Sequence, residues 1–375
     1  MKITLIGTTA TAVLGFRADL IKALVLNGHQ VYAFALDYTE HSKAGVKDLG
    51  AIPIDYEFSR TGLNPFSDII NTYKLTKKIK EIAPDVVFSY FAKPVIFGTF
   101  AATLAGVKRR VAMLEGLGYP FTEQPKGSSF KAKILKCLQV QLYRLAFPKL
   151  DQIIFLNPDD PVDLIEKYKI SVKKINILGA IGLNLSDYPY SDPLEEIVSF
   201  IFVGRFLAEK GVCEYIEAAK LVKKIFSNTK FVMLGDIDLQ NPGSLTNSEL
   251  QEIVNDGLVV YPGHVENVAD WISNSSVFVL PSYREGVPRS TQEAMAIGRP
   301  VITTDVPGCR ETVVDGANGF LIPPWSSALL AEKMIYFIEN PDQVKIMGLK
   351  SYMIAQEKFN AKVNNERLMH VLLGE

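Results

Sequence analysis

Residue types that dominate many active sites are scarce in this 375-residue chain: three cysteines, four histidines and two tryptophans. Cys137, Cys213 and Cys309 lie too far apart for a disulfide framework or a metal-binding spacing, which fits a reducing compartment. None of His29, His41, His264 and His370 sits with an acid at triad-like spacing, so a His-based nucleophile relay is not expected. No apolar run approaches the roughly 18 residues of a membrane span. Lys2 leads into the short run Ile3–Gly7, not into a long apolar leader. The expectation is a cytoplasmic protein, soluble or peripheral. No G-x-G-x-x-G is present, which removes the dinucleotide fingerprint. Short repeats and low-complexity segments are also missing. The basic balance of the first half could suggest nucleic acid, but no recognisable nucleic-acid motif is present, so no nucleic-acid partner is expected.

What is present is a regular succession of short apolar runs. In the first half they are Ile3–Gly7, Val31–Leu36, Ile52–Phe58, Val86–Phe91, Arg110–Leu114 and Ile153–Leu156. In the second half they are Val198–Gly204, Phe231–Gly235, Leu258–Tyr261, Val277–Pro281, Val301–Thr304 and Phe320–Pro323. Helical patterns lie between them, such as Ala18–Asn27 closed by Gly28, and Pro65–Glu81. Alternating strands and helices predict an α/β protein with two doubly wound parallel sheets. The reading is a domain over 1–182, a second over 183–355, and a last helix, 356–375, able to cross back to the first. Gly182–Pro193, rich in Asn, Ser, Asp and Pro, reads as the linker. One large α/β domain is the alternative. The charge divides unevenly. Residues 1–180 hold 24 Lys/Arg against 16 Asp/Glu, a balance of +8, and the remainder holds 16 against 25, or −9. Different partners for the two halves would follow.

Two clusters in the second half carry chemistry. Ser282–Glu293 reads SYREGVPRSTQE, with Glu285 and Glu293 seven residues apart. A strand, a Gly/Pro turn through Gly286, Val287 and Pro288, and a helix start place both carboxylates at the C-terminal edge of a parallel sheet, where ligands bind. Ionised carboxylates accept hydrogen bonds and suit sugar hydroxyls, while the helix N-terminus suits phosphate. The other cluster is Gly204–Gly211, GRFLAEKG. Here Arg205 and Lys210 offer cations to a diphosphate that gains charge as it leaves. In isolation the better reading of these two is pairing with surface acids such as Glu209. Beside Glu285 and Glu293 the phosphate reading is preferred. Together the clusters describe a nucleotide-sugar pocket.

GRFLAEKG, the GxV turn Gly263–His264–Val265 and the E-x7-E of Glu285–Glu293 resemble the retaining glycosyltransferases of family 4. These have the GT-B fold, two Rossmann-like doubly wound parallel-sheet domains facing a cleft. The resemblance implies that Arg205 and Lys210 hold the donor diphosphate, Glu285 the donor sugar and Glu293 the ribose. It also implies that Gly286, Val287 and Pro288 approach sugar and phosphate, and that His264 and Val265 line the base. Arg205, Lys210 and Glu285 would be the catalytic set. Gly15–Phe16–Arg17, Tyr56–Phe66 and the LEGLG of Leu114–Gly118 are similar to bacterial enzymes of the α-1,3-N-acetylgalactosaminyltransferase type, which extend undecaprenyl-diphosphate-linked glycans. That likeness implies donor contact at Gly15 and acceptor contacts at Phe16, Arg17, Arg60, Lys93 and Glu115. The loop Thr8–Phe16 departs from the Gly-Gly pair of many relatives. Arg60 could equally be an ion-pair partner in a structural loop, and Lys93 and Glu115 could be ordinary surface charges. The family's front-side transfer lets the leaving phosphate oxygen take the acceptor proton, so no cofactor and no metal is expected. Asp236–Ile237–Asp238 resembles the metal-binding DxD of the other large transferase fold, but its turn with Asn241, Pro242 and Gly243 favours a capping role.

The stretch Lys126–Lys149 holds Lys126, Lys131, Lys133, Lys136, Arg144 and Lys149 and no acid, with Phe130, Ile134, Leu138, Leu142 and Leu145 at helical spacing. It reads either as a core-packing helix with a solvated basic face or as a helix lying on an anionic membrane. With a polyprenyl-diphosphate-linked saccharide implied as acceptor, the second is preferred, on the inner face of the plasma membrane. A UDP-sugar 2-epimerase of the same fold and a non-catalytic sugar-nucleotide-binding protein remain as alternatives.

Overall fold

The computed structural model describes residues 1–59, 64–127, 129–193, 197–238, 241 and 243–374. The chain divides into two compact units. The first comprises Met1–Leu117, Phe130–Ile181 and Ala361–Glu375; the second comprises Gly118–Ser129 and Gly182–Asn360. The division is thus interleaved along the chain: Gly118–Ser129 falls with the second unit and the last helix with the first.

The first unit holds strands β1 Lys2–Ile6, β2 Gln30–Ala35, β3 Ile52–Asp55, β4 Val86–Tyr90, β5 Arg109–Leu114, β6 Gln152–Phe155 and β7 Ile175–Ile177. They form one sheet in the order β3-β2-β1-β4-β5-β6-β7, and every neighbouring pair is parallel. Covered on both faces, the central strands are near-continuous runs of Val, Ile, Phe and Leu, as buried parallel strands require. The edge strand β7 is short and half-exposed, which is why it carries no apolar run. Gly28, at φ 76°, follows the helix Ala18–Leu26 where the pattern placed its stop. Asn64 caps and Pro65 opens the helix Pro65–Ile82. One segment departs from expectation. Residues Ala10–Phe16 are a helix and not a loop, because the Thr9 hydroxyl caps Ala12 N and the Asp37 carboxylate accepts from Ala10 N at 2.6 Å.

The second unit holds β8 Ser199–Val203, β9 Lys230–Leu234, β10 Val277–Leu280, β11 Val301–Thr304 and β12 Gly319–Ile322, in the parallel order β12-β11-β10-β8-β9. Leu258–Tyr261, expected as a strand, gives only a one-residue bridge from Val260 to Val232. Gly257 at φ 63° and the Pro262–Gly263 turn leave no room to extend it. Gly182–Pro193 is not a free linker. The buried Arg299 donates to the Ser191 carbonyl at 2.8 Å and the Ser191 hydroxyl at 2.6 Å, and Tyr190 packs edge-on to Tyr352. Burial pulls the Arg299 pKa down to about 10 against the opposing fields of Tyr190 and Asp192.

In each sheet the strand order reverses once, between β1 and β4 and between β8 and β10. The C-terminal ends of strands at such reversal points are where open α/β sheets bind ligands.

Candidate functional site

In the second unit the segments after β8 and β10 meet at the reversal point. Phe206 is wholly buried and its N–H donates to the Asp236 carbonyl, which pins the loop after β8. A single turn, Ala208–Lys210, ends at Gly211 with φ 75°. A side chain there would run into the Pro281 carbonyl, so glycine lets the loop lie against the end of β10. Lys210 is thereby delivered to Glu285, and the two form an ion pair. The Ser282 hydroxyl donates to the same carboxylate oxygen at 2.8 Å. From below, Gly308 at φ 80° lies against the carbonyls of Glu285 and Gly286, and Glu285 N donates to Pro307 O at 3.0 Å.

The turn Gly286–Pro288 is buried and braced by Gln292, whose amide donates to the Val287 carbonyl at 3.0 Å. It opens the helix Arg289–Ile297, which among the described residues has no side-chain cap and no acid in its first turn. That end is suited to an anion. Glu293 follows one turn later. Its Oε1 accepts from the Tyr188 hydroxyl at 2.9 Å and from Arg289 Nε at 3.0 Å. Arg205 is half-exposed and pairs with Asp238 at 3.2 Å, not with Glu209. His264 is exposed, with Nδ1 3.6 Å from Asp236, beside a half-buried Val265. The Asp236–Asp238 turn therefore faces Arg205 and His264, two side chains that the sequence set around the nucleotide. Buried Cys309, close to Glu285, has its thiol pushed up to about 12 by burial and by that carboxylate, so it is no nucleophile at neutral pH.

The first unit is built differently. Arg17 is 0% exposed, and its guanidinium pairs with Glu115 at the end of β5 and lies 4.5 Å from the centre of the Tyr90 ring. Burial raises the Glu115 carboxyl above its ordinary value, with Arg17 opposing. Both residues were expected as separate acceptor contacts. The structure joins them, with Arg17 beneath as the partner of Glu115 rather than as a surface group. Lys93 donates to the Ser59 hydroxyl at 2.6 Å and pairs with the buried Asp68 at 3.3 Å. Phe16 is exposed, and Gly15 sits exposed within its helix, where a methyl group would meet nothing. Arg60 lies outside the described residues.

Sequence reasoning missed Tyr188, Ser282, Gly308 and the Asp238 partner of Arg205. Ser282 stood within the quoted motif. Tyr188 was hidden by the linker-like composition around it. Among the described residues, no group of three His, Cys, Asp or Glu side chains is placed to hold a metal ion, and no helix is long and apolar enough to cross a membrane.

Each unit is thus a parallel, doubly wound sheet with a charge pair at its C-terminal edge. A family model for group 1 glycosyl transferases matches residues 198–340, and one for glycosyl transferase 4-like domains matches residues 2–157. The N,N'-diacetylbacillosaminyl-diphospho-undecaprenol alpha-1,3-N-acetylgalactosaminyltransferase of Campylobacter jejuni is 30% identical over 355 residues, 91% of this chain and 90% of that protein. The UDP-Gal:alpha-D-GlcNAc-diphosphoundecaprenol alpha-1,3-galactosyltransferase of Escherichia coli is 28% identical, covering 69% of this chain and 67% of its own. The chain belongs to this glycosyltransferase family. Among solved structures, Anabaena HepE in complex with UDP-glucose matches with a TM-score of 0.77 at 17% identity, covering 100% of both chains. Sucrose-phosphate synthase from Thermosynechococcus elongatus matches at 0.79 and 17%, covering 99% and 98%. At that identity the two structures speak for the fold.

Proposed function

We propose that this glycosyltransferase moves a sugar, with N-acetylgalactosamine the first candidate, from a UDP-sugar to a polyprenyl-diphosphate-linked saccharide in bacterial glycan assembly, retaining the α configuration. The observation that carries the reading is the Lys210–Glu285 pair at the β8/β10 reversal point, with Arg205 on the same loop after β8. The printed activities of the Campylobacter and Escherichia relatives support the acceptor class. Arg205 and Lys210 take the donor diphosphate, with the start of helix Arg289–Ile297 adding its positive dipole end. Glu285 accepts from donor-sugar hydroxyls, and Glu293 accepts from the ribose through Oε2 while Tyr188 and Arg289 hold Oε1. Glu115, Lys93 and Phe16 face the acceptor, and Arg17 positions Glu115.

Transfer then proceeds on one face of the sugar. The anomeric carbon–phosphate oxygen bond breaks, and the acceptor oxygen bonds the same face. The acceptor proton passes to the leaving phosphate oxygen, and UDP departs. The two cations stabilise the growing charge in place of a metal. The lysines and arginine of residues 130–149, with no acid among them, support peripheral docking on an anionic membrane at its cytoplasmic side.

A donor screen tests the reading. Purified protein is incubated separately with UDP-GalNAc, UDP-GlcNAc, UDP-Gal, UDP-Glc and GDP-mannose plus a short-chain polyprenyl-diphosphate-linked sugar, with and without EDTA. The expected product is the acceptor enlarged by one sugar with one UDP donor, unaffected by EDTA. An altered UDP-sugar without acceptor would establish an epimerase instead, and loss of transfer with EDTA would overturn the metal-free assignment.

A further inference from the structure

The helix Pro65–Ile82 is turned inside out over its first turns. Its buried side chains include Asp68, Thr72 and Thr76, while Phe66, Ile69, Ile70 and Tyr73 are 82, 68, 57 and 60% exposed. The buried polar groups are satisfied. Asp68 pairs with Lys93, the Thr72 hydroxyl donates to the Asp68 carbonyl at 2.6 Å, and the Thr76 hydroxyl donates to the Thr72 carbonyl at 2.8 Å. The interior therefore explains the polar residues and leaves the apolar ones unexplained. Positions 66, 69, 70 and 73 form one helical stripe, and a contiguous exposed stripe of this kind marks an interaction surface.

The helix Phe130–Ala146 shows the same inversion. Phe130, Ile134 and Leu138 are exposed, whereas Gln139 is buried and donates to the Tyr143 hydroxyl at 2.7 Å. Both helices pack against the segment beginning at Pro94. Each follows a parallel strand, β3 or β5, so the apolar half of each lies toward the C-terminal edge of the first sheet, where a ligand of that unit binds.

Charge identifies the occupant. Lys74, Lys77, Lys78 and Lys80 follow the first stripe, and Lys131 and Lys133 border the second. Of the two acids in Pro65–Ile82, Asp68 is buried and only Glu81 is exposed. A second copy of this chain would set lysines against lysines. An anionic bilayer offers both the apolar depth and the opposite charge. We infer that the Phe66/Ile69/Ile70/Tyr73 stripe is a second membrane-inserting element, seated in the interfacial layer of an anionic bilayer beside the helix Phe130–Ala146. This extends the reading of a lipid-linked acceptor, and it makes the docking face two helices wide.

The test is co-sedimentation with vesicles of phosphatidylethanolamine and phosphatidylglycerol, using the full chain. Wild type should bind. The variant F66S/I69S/I70S/Y73S should bind about tenfold or more weakly, with an unchanged Tm and unchanged turnover on a water-soluble, short-chain acceptor. A less disruptive probe is Phe66→Trp, whose emission should shift to the blue on vesicles and be quenched by brominated lipid. Wild-type binding by the serine variant, or an F66W emission indifferent to bound vesicles, would overturn the inference. So would light scattering that shows a wild-type dimer dissolved by the serine substitutions. Vesicle binding without sugar transfer from any donor would sink the functional reading and leave the docking face standing. Transfer without vesicle binding would do the reverse.

Discussion

The two units use one sheet design and place an Arg or Lys against a glutamate at its C-terminal edge, yet the two pairs are opposites. Lys210–Glu285 is partly open to water, with side chains 23% and 12% exposed. Arg17–Glu115 is nearly sealed, at 1% and 12%, with Tyr90 stacked on the guanidinium. A partly hydrated pair can exchange its partner for a ligand at small cost. A buried pair cannot, since either charge left alone is strongly unfavourable. The second unit thus keeps its charges available for exchange with a ligand. The first uses one charge to fix another, so that a single carboxylate is presented at a defined place.

That contrast can be broken by experiment. The largest effect belongs to Arg17→Met, which strands Glu115. A loss of about 3–5 kcal/mol in urea unfolding is expected; a loss below about 1 kcal/mol would mean the pair is not the buried anchor described. Next is Lys210→Ala, with a Tm close to wild type but a fall of about 10²–10³ in kcat, the scale of losing one preorganised charge at a leaving group. Unfolding without a catalytic defect would make this pair structural too and erase the difference between the units. The smallest effect is in pH. The Glu115 carboxyl is raised by burial, with Arg17 opposing, so the folded chain holds that proton more tightly than the unfolded one. The associated stability is complete below the ordinary carboxylate value of about 4.3 and is lost as pH rises through the folded value. Relative to Glu115→Gln, wild type should lose Tm over that rise; parallel Tm curves would remove the raised carboxyl.

The same contrast explains what could be read without a structure. The second-unit residues lie on two short segments, Gly204–Gly211 and Glu285–Glu293, so spacing alone assembled them. Arg17 and Glu115 were each singled out, but 98 positions separate them and only the sheet joins them. Composition misled at Gly182–Pro193. Asn, Ser and Pro signal mobility locally, and nothing in the sequence showed that Arg299, more than a hundred residues away, would hold Ser191. Strand assignment failed where tertiary context decides, at the edge strand β7 and at Leu258–Tyr261. The lysine-rich helix was recognised by charge, but which of its faces would be buried depended on neighbours that spacing does not name.

The helix Ala361–Leu373 belongs to the first unit. It packs on the helix Ala18–Leu26, and Arg109 donates to the carbonyls of Val371 and Leu372 at 2.6 and 2.5 Å. On the ribosome this helix emerges after β1 and after every residue of the second unit. The second unit can therefore fold while the first still lacks this helix. Until then the first unit lacks the contacts that this helix makes with Ala18–Leu26 and with the Arg109 guanidinium.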